Sequence, residues 1–261
     1  MVPDGSVRVD ISSVKDSVSE EEWETRVNLA CAYRLVDHQG WLHGIANHIS
    51  MRVPGEDEHF LLNPYGLAYR EVTASSLVKI NLDGNKVMDS QFGVNRAGFV
   101  IHSAIHSARK DITCALHTHT PAGMAVSALK CGLLPLSMSA IRFYNRIAYH
   151  DYEGVTLDTE ERERSADHLG NHYAMILRNH GLLTLGRNIG EAYYLMYNLE
   201  KACASQLSAM STGAELEIPP EDVLEKSASQ SWQAGNNNTD VHPAWPAFMR
   251  EMDEIDPSYR N

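Results

Sequence analysis

The sequence predicts an α/β protein with three layers (αβα), in which helices cover both faces of a central mixed, mostly antiparallel sheet. Three observations carry this prediction. The chain has 261 residues, 43% hydrophobic and 21% charged, which is enough for an ordinary core. Alternating apolar patterns typical of strands recur along it, and apolar residues at helical spacing stand before, between and after them. This order places helices on both sides of one sheet.

Charge and cysteine usage restrict the partners and the compartment. With 22 basic and 34 acidic residues the net charge is −12, so the protein repels phosphate backbones and anionic lipid, and neither nucleic acid nor membrane is expected as a partner. No apolar run reaches the ~20 residues of a membrane span, and charges near the N-terminus do not suit a signal peptide. The scattered cysteines fit reduced thiols, which favours a cytoplasmic protein. They are Cys31, Cys114, Cys131 and Cys203.

The two ends of the chain differ from its middle. Residues 1–16 lack periodicity and are predicted to form an irregular arm. Residues 17–261 are predicted to form a single domain with a C-terminal extension from about residue 209. The polar stretch 209–240, which contains Pro219-Pro220, is predicted to consist of loops.

The N-terminal half begins with a helix and continues with strands. A capping box at Ser19 precedes apolar residues at helical spacing, so a first helix is expected to end near Gly40. Residues 45–53 alternate between apolar and polar, which predicts a half-buried strand. Two further strands are predicted at 60–62 and 78–82, the second running into a turn of the hairpin type.

The C-terminal half alternates helices and strands. Small and apolar residues four apart predict a helix over 98–109, and a strand over 112–119 follows it. Thr120 is the expected cap of the next helix. The remaining predicted elements are strands at 174–177 and 182–185 and a long helix from Asn188 to about Cys203.

Histidines carry the strongest chemical signal, since the chain contains 13 of them. His117 and His119 are two apart on a predicted strand and therefore point to the same face, where both imidazoles can reach one cation. His180, in the turn Arg178-Asn179-His180-Gly181, is the predicted third ligand. A set of three histidines leaves coordination positions open, as catalytic metal sites do. The alternative is a hydrogen-bonded or surface pair of histidines.

Two other histidine pairs have the spacing of ligands on a helix. His102 and His106 are four residues apart, as are His168 and His172. The first pair lacks the Glu that acts as base on a metalloprotease helix, so packing or solvent exposure is the preferred interpretation. The second pair adjoins a charged stretch and is interpreted as part of a solvated face.

The histidine motifs resemble the class II aldolase/adducin head-domain family. They read His117-Thr118-His119-Thr120-Pro121-Ala122-Gly123 and Arg178-Asn179-His180-Gly181-Leu182-Leu183. The likeness runs in order from Glu20 to the C-terminus. It includes Gly44-Ile45-Ala46-Asn47-His48-Ile49-Ser50, Asn63-Pro64-Tyr65-Gly66, Leu82-Asp83-Gly84-Asn85, Cys131-Gly132-Leu133-Leu134-Pro135 and Asp256-Pro257-Ser258-Tyr259-Arg260.

The resemblance implies a metal site and an assembly. Family members hold a divalent metal, usually zinc, with the three histidines that match His117, His119 and His180; manganese and iron are the alternatives here. They are commonly homotetramers with active sites between subunits, which implies the same for this chain.

The chain departs from the family's sugar-phosphate aldolases at two places. Their catalytic Glu aligns with Gly98, and the two serines before it align with Arg96 and Ala97. Their phosphate cradle aligns with Asn47 and with Tyr65-Gly66. A sugar-phosphate aldolase is therefore not expected. The motif Val94-Asn95-Arg96-Ala97-Gly98-Phe99 instead resembles the adducin-type branch of the family.

The expected function is that of a divalent-metal-dependent lyase, by retro-aldol cleavage or decarboxylation, acting on a small hydroxy- or oxo-acid, aromatic acids included. Asn47 and Arg96 are the predicted substrate-binding residues, because a guanidinium can hold a carboxylate through two hydrogen bonds. Arg96 and Tyr144 are the predicted catalytic residues, although the aromatic cluster around Tyr144 equally suits packing or subunit contacts. The alternatives are an adducin-like, non-catalytic oligomerisation or binding module that keeps the metal site, and a mononuclear iron oxygenase.

Overall fold

The computed structural model describes residues 9–94, 96–154, 159–235 and 241–261, and within these it leaves out the side chains of 96–98, 100, 159–163 and 234–235. Seven strands lie in the described part of the chain. They are β1 (His48–Val53), β2 (Glu56–Leu62), β3 (Val78–Asn81), β4 (Cys114–Thr118), β5 (Ala148–His150), β6 (Ala174–Leu177) and β7 (Gly181–Gly186).

The strands form one sheet in the order β3-β2-β1-β4-β7-β6-β5. Every neighbouring pair is antiparallel except β5 and β6, which are parallel. The sheet is therefore mixed and mostly antiparallel, as the sequence predicts. The edge strand β5 has only three residues, and no prediction was made for so short a segment.

The α-helices of the described residues follow in chain order as α1 (Glu20–His38), α2 (Arg96–Ala108), α3 (Pro121–Ser127), α4 (Met138–Ile141), α5 (Thr159–Leu169), α6 (Ile189–Ser211), α7 (Glu221–Gly235) and α8 (Trp245–Ile255). Short 3₁₀ turns lie at Lys15–Ser17, Tyr69–Glu71 and Pro257–Arg260. None of the helices that the structure describes is long and apolar enough to cross a bilayer.

The described residues form three apolar clusters, and the two largest, one on each face of the sheet, confirm the three layers. The larger joins α1, α6 and α8 to the face formed by residues such as Ile49 and Leu116. The smaller joins α2 to the opposite face, where Ile101 and Ile105 pack with Leu183. The sidedness follows from strand geometry, since neighbouring residues on β4 and β7 point to opposite layers.

Two expectations are wrong. β1 begins at His48 and all six of its residues are buried, where the sequence predicts a half-buried strand from residue 45, because α2 covers the polar face of β1. The predicted loops of 209–240 contain the end of α6 and the helix α7. Leu224 and Ala228, four apart and buried, give α7 the apolar stripe that attaches it to the protein.

Candidate metal centre

His117, His119 and His180 meet at one point on the α2 side of the sheet. The Nε2 atom of His117 lies 2.7 Å from Nε2 of His119 and 3.3 Å from Nε2 of His180. One ligand nitrogen from each of the three falls within 4.8 Å of the others. Nitrogens around a tetrahedral zinc ion, each ~2.1 Å from the metal, are about 3.4 Å apart. The spacing thus suits one cation held by all three rings.

The hydrogen bonding of His117 leaves its Nε2 atom available as a ligand. Its Nδ1 atom lies 2.8 Å from the carbonyl oxygen of Leu182. Because a carbonyl oxygen only accepts, Nδ1 carries the hydrogen and Nε2 presents a lone pair to the other two rings. One shared hydrogen can form a hydrogen bond across only one of the two short Nε2–Nε2 distances, from His117 to His119 or from His117 to His180. A bound cation would instead accept the lone pairs of all three nitrogens.

Burial keeps the three imidazoles in the form that binds metals. Desolvation, reinforced by the neighbouring histidines, lowers the pKa of His119 to about 3 and holds the pKa of His117 well below its ordinary value. The pKa of His180 is lowered for the same first reason, burial. All three rings are therefore neutral near pH 7, and neutral imidazole is the ligand form.

The local backbone explains how two distant segments converge. β4 and β7 are neighbours, with His117 opposite Leu183, so the end of β4 lies beside the start of β7. Asn179 has a φ of 56°, a left-handed conformation that turns the chain between β6 and β7 and presents His180 beside the end of β4. A Cβ on Gly181 would lie 2.3 Å from the carbonyl oxygen of Thr118, so only glycine allows this approach.

Asn47 holds the backbone beside the candidate metal centre. Its Oδ1 atom accepts from the backbone N–H of His119 at 3.1 Å, and its Nδ2 atom donates to the carbonyl of Trp41 at 2.6 Å. The side chain is 1% exposed. In this structure its amide holds the backbone of a candidate ligand, and its predicted contact with substrate stays a prediction.

The two predicted catalytic residues have different outcomes. The side chain of Arg96, the first residue of α2, lies outside the described residues, so its predicted roles stay predictions. Tyr144 is half-buried in the turn after α4, and the described ring contacts of the triad do not include it. They include instead Tyr152, whose ring lies 6.5 Å from that of His180, and His43, 5.5 Å from His119. Tyr152 is 55% exposed and stands at the open side of the centre.

Glu200 is a buried acid that the sequence reasoning missed. From α6 it accepts hydrogen bonds from Thr118 at 3.0 Å and from Thr120 at 2.7 Å, the two residues on either side of His119. Burial raises the pKa of Glu200 to about 7. The sequence does contain a signal for this residue, since Glu200 follows the buried Met196 by four residues and so lies on the apolar stripe of its helix. A carboxyl group in that position has to find a hydrogen-bond partner in the interior of the protein.

The pair His102 and His106 is buried, as the packing interpretation expects. Both rings contact the Oγ atom of Ser50, at 2.7 and 2.8 Å. The ring of His48 lies between this pair and the triad, 6.0 Å from His102 and 6.0 Å from His117.

Comparison with known proteins identifies the family. Residues 27–207 match the family described as Class II Aldolase and Adducin N-terminal domain, and the chain belongs to it. A crystal structure of an aldolase II superfamily protein from Pseudomonas syringae is 50% identical, with a TM-score of 0.91 over 96% of this chain and 100% of that one. An L-fuculose 1-phosphate aldolase from Glaciozyma antarctica is 30% identical, with a TM-score of 0.81 over 97% of this chain and 96% of the other.

Alpha-adducin of Rattus norvegicus is also similar, at 43% identity over 256 residues. The match covers 92% of this chain but only 35% of that adducin. The relatives therefore include both a named aldolase and a protein of a different kind, and the adducin extends well beyond the shared part.

Proposed function

We propose that this chain is a divalent-metal-dependent lyase that breaks a carbon–carbon bond in a small hydroxy- or oxo-acid, by retro-aldol cleavage or decarboxylation. The convergence of three neutral imidazoles from His117, His119 and His180, with one side open towards Tyr152, carries this proposal. When bound, a cation supplies Lewis acidity towards adjacent substrate oxygens. We take zinc as the first choice, because its preferred geometry and nitrogen ligands match the set, with manganese and iron as alternatives.

The acid class of the substrate rests on local charge. An open cleft of about 540 Å³ adjoins His180 and is lined by Lys130, Arg178 and Tyr152, among others. The guanidinium of Arg178 is held in place, since it lies 4.3 Å from the ring centre of Tyr149 and donates to the carbonyl of Leu129. The cleft thus carries two cations and one acid, Asp151, and this positive balance favours an anionic substrate group in a protein whose net charge of −12 would otherwise repel it.

The roles of the surrounding side chains follow from their positions. Tyr152, exposed beside His180, replaces Tyr144 as our candidate proton donor, while Arg96 remains a candidate for the substrate carboxylate. We also infer a homotetramer with active sites between subunits, by analogy with the family. Four cysteines outside any disulfide support a cytoplasmic location.

A second function has a specific observation in its favour. The 43% identity to alpha-adducin supports an adducin-like oligomerisation or binding module that retained the metal site. The named L-fuculose 1-phosphate aldolase, at 30% identity over nearly the whole chain, supports carbon–carbon bond chemistry instead.

Metal analysis followed by substrate screening separates these functions. The purified protein and its His119→Ala variant are analysed for metal and then incubated with a panel of hydroxy-acids, oxo-acids and L-fuculose 1-phosphate. Stoichiometric zinc or manganese with turnover of acids, both lost in the variant, is the expected result. Turnover of the sugar phosphate alone contradicts the acid class, iron with oxygen uptake indicates an oxygenase, and bound metal without turnover indicates the module.

A further inference from the structure

A strip of buried polar side chains lies between β1 and α2, next to the candidate metal centre. His48 and Ser50 on β1 are 6% and 0% exposed, and His102 and His106 on α2 are 1% and 0% exposed. The opposite face of β1 is apolar and packs in the main core. Burying four polar side chains is unfavourable unless they are hydrogen-bonded, so the strip requires an explanation.

Ser50 joins the two helix histidines into one chain. Its Oγ atom lies 2.7 Å from Nδ1 of His102 and 2.8 Å from Nε2 of His106. A hydroxyl group has one hydrogen, so it donates to one ring and accepts from the other. Two arrangements are thus available. In the first, His102 carries its hydrogen on Nε2 and His106 carries its hydrogen on Nε2. In the second, both rings carry the hydrogen on Nδ1.

The ring nitrogens at the two ends of this hydrogen-bonded series, on His102 and His106, face away from Ser50. Nε2 of His102 is buried and has no hydrogen-bond partner in the described part of the protein. Nδ1 of His106 is also buried and makes no hydrogen bond of ordinary geometry there, although the backbone carbonyl of Ile112 lies near enough to its ring to oppose the effect of burial on its pKa. Nδ1 of His48 is in the same condition as Nε2 of His102, and the ring of His48 stands edge-on to that of His102, with the ring centres 6.0 Å apart. Buried nitrogens without an ordinary hydrogen bond at both ends are what a chain needs if it exchanges a proton with a water or a ligand.

Helix α2 brings no carboxylate to this side of the site. The described part of α2, from Arg96 to Ala108, contains no Asp or Glu, and its only ionisable side chains beyond Arg96 are the two histidines. The charged groups that act on His106 are Arg52, which donates to the carbonyl of His106 at 2.8 Å, and Lys110. Burial lowers the pKa of both His102 and His106 to about 3, so the pair stays neutral and can act through its tautomers.

We propose that His106, Ser50 and His102 form a proton relay that runs towards His48, whose ring centre lies 6.0 Å from those of His102 and His117 in the candidate metal centre. The proposal rests on the lyase function proposed above, in which the carbon left by bond cleavage must take a proton. The relay gives its proton to a water molecule, which passes a proton to the carbon, so the three residues do not touch the reacting atoms and are positioning residues.

The relay consists of linked proton transfers. Nε2 of His102 gives its proton to the water molecule, which gives one to the carbon. The hydroxyl proton of Ser50 then moves to Nδ1 of His102, and the proton on Nε2 of His106 moves to Oγ of Ser50. Nδ1 of His106 then takes a proton from water. In a decarboxylation the remaining hydroxide combines with the released carbon dioxide as bicarbonate. In a retro-aldol cleavage it takes the proton that the alcohol group gives up.

Removal of one hydroxyl group tests the relay. Ser50→Ala breaks the chain, Ser50→Thr keeps the hydroxyl group, and Ser76→Ala is the matched control, since Ser76 is also 0% exposed and hydrogen-bonded but belongs to a turn with Thr73. Thermal unfolding and metal content confirm that each variant is folded and loaded. General acid–base groups contribute about 10²–10⁴-fold, so we expect kcat to fall by about 10²-fold in Ser50→Ala and to recover in Ser50→Thr.

Two further measurements separate a relay from a structural role. In the wild type we expect a solvent deuterium isotope effect that involves more than one proton, and in Ser50→Ala an effect that involves one. ¹⁵N NMR of the ring nitrogens, which needs no turnover, is expected to show that His102 and His106 exchange between tautomers together, and that they do so independently in Ser50→Ala.

The outcomes distinguish the relay from the function on which it rests. Unchanged kcat and isotope effect in Ser50→Ala, or rings locked in one tautomer in the wild type, would overturn the relay. Coupled tautomers in a metal-loaded protein that turns over no acid would leave the relay standing and refute the lyase.

Discussion

Substitution of Gly181 by alanine tests how the candidate metal centre is built. The added Cβ atom would lie 2.3 Å from the carbonyl oxygen of Thr118 and 3.1 Å from Cδ2 of His119. Packed atoms are ordinarily about 3.5 Å apart, so the end of β4 and the start of β7 would have to separate by roughly 1 Å. Since His119 follows β4 and His180 precedes β7, the two rings would move apart with the strands.

Two effects of Gly181→Ala are therefore expected. Overpacking of this kind destabilises by about 1–3 kcal/mol. Misplacement of ligands typically weakens metal binding about 10–100-fold, which a competition titration with a chelator measures.

Gly186→Ala is the matched control, because it separates the two effects. Gly186 ends the same strand, and its Cβ would lie 2.4 Å from the carbonyl oxygen of Asn188, but it is at the far end of β7 from the triad. We expect comparable destabilisation in denaturant unfolding with wild-type metal affinity. Wild-type affinity in Gly181→Ala as well, measured on folded protein, would refute the proposed role of the close strand approach.

Three further predictions concern ionisable groups. His119→Ala is expected to lose bound metal while keeping its fold and oligomeric state, and full metal occupancy by elemental analysis would contradict the ligand assignment. Because the pKa of His102 and His106 falls from 6.5 in the unfolded chain to about 3 in the folded one, the unfolded chain takes up protons first, and stability decreases as pH drops from about 6.5 towards 3. In a double variant with glutamine in place of His102 and His106, Tm should fall less steeply with decreasing pH than in the wild type. Parallel curves of Tm against pH for the two proteins would contradict this prediction. The pKa of Glu200 is raised from 4.5 to about 7, so the stabilisation by its protonated form is complete below pH 4.5 and is lost as pH rises through 7. The free energy of unfolding should therefore differ less between pH 5 and pH 8 in Glu200→Gln than in the wild type. An equal difference in the two proteins would count against this prediction.

The parts of this structure that follow local rules could be predicted from the sequence. Period-two and helical patterns located six of the seven strands and the long helices α1 and α6 to within a few residues, except at the C-terminal end of α6. His117 and His119 could be paired because residues two apart on a strand share a face. His180 required only the further inference that its turn lies at a strand end, which the structure shows.

Other features depend on contacts between distant segments and have no local signal. The alternation of β1 indicates a polar face but not what covers it, and the partner of Ser50 is a helix more than 50 residues away. Likewise, Glu200 accepts from threonines about 80 residues earlier. α7 was missed because its average polarity outweighs a stripe of few apolar residues, Leu224 and Ala228 among them.

The energetics of the two buried features bear on the choice between an enzyme and a binding module. The triad uses the strand contact between β4 and β7, which the fold needs in any case, and leaves one ring nitrogen, Nδ1 of His119, buried without a partner. The strip of His48, Ser50, His102 and His106 leaves three ring nitrogens buried without a hydrogen bond of ordinary geometry. Each such group is destabilising by about 1–3 kcal/mol, so the strip is the more costly of the two to retain. Apolar residues in its place would pack against Phe60, on which the ring of His106 already stacks, and stabilise the protein. If only the fold were needed, such a replacement would increase the stability of the protein. The strip therefore favours a function in which protons move beside the candidate metal centre.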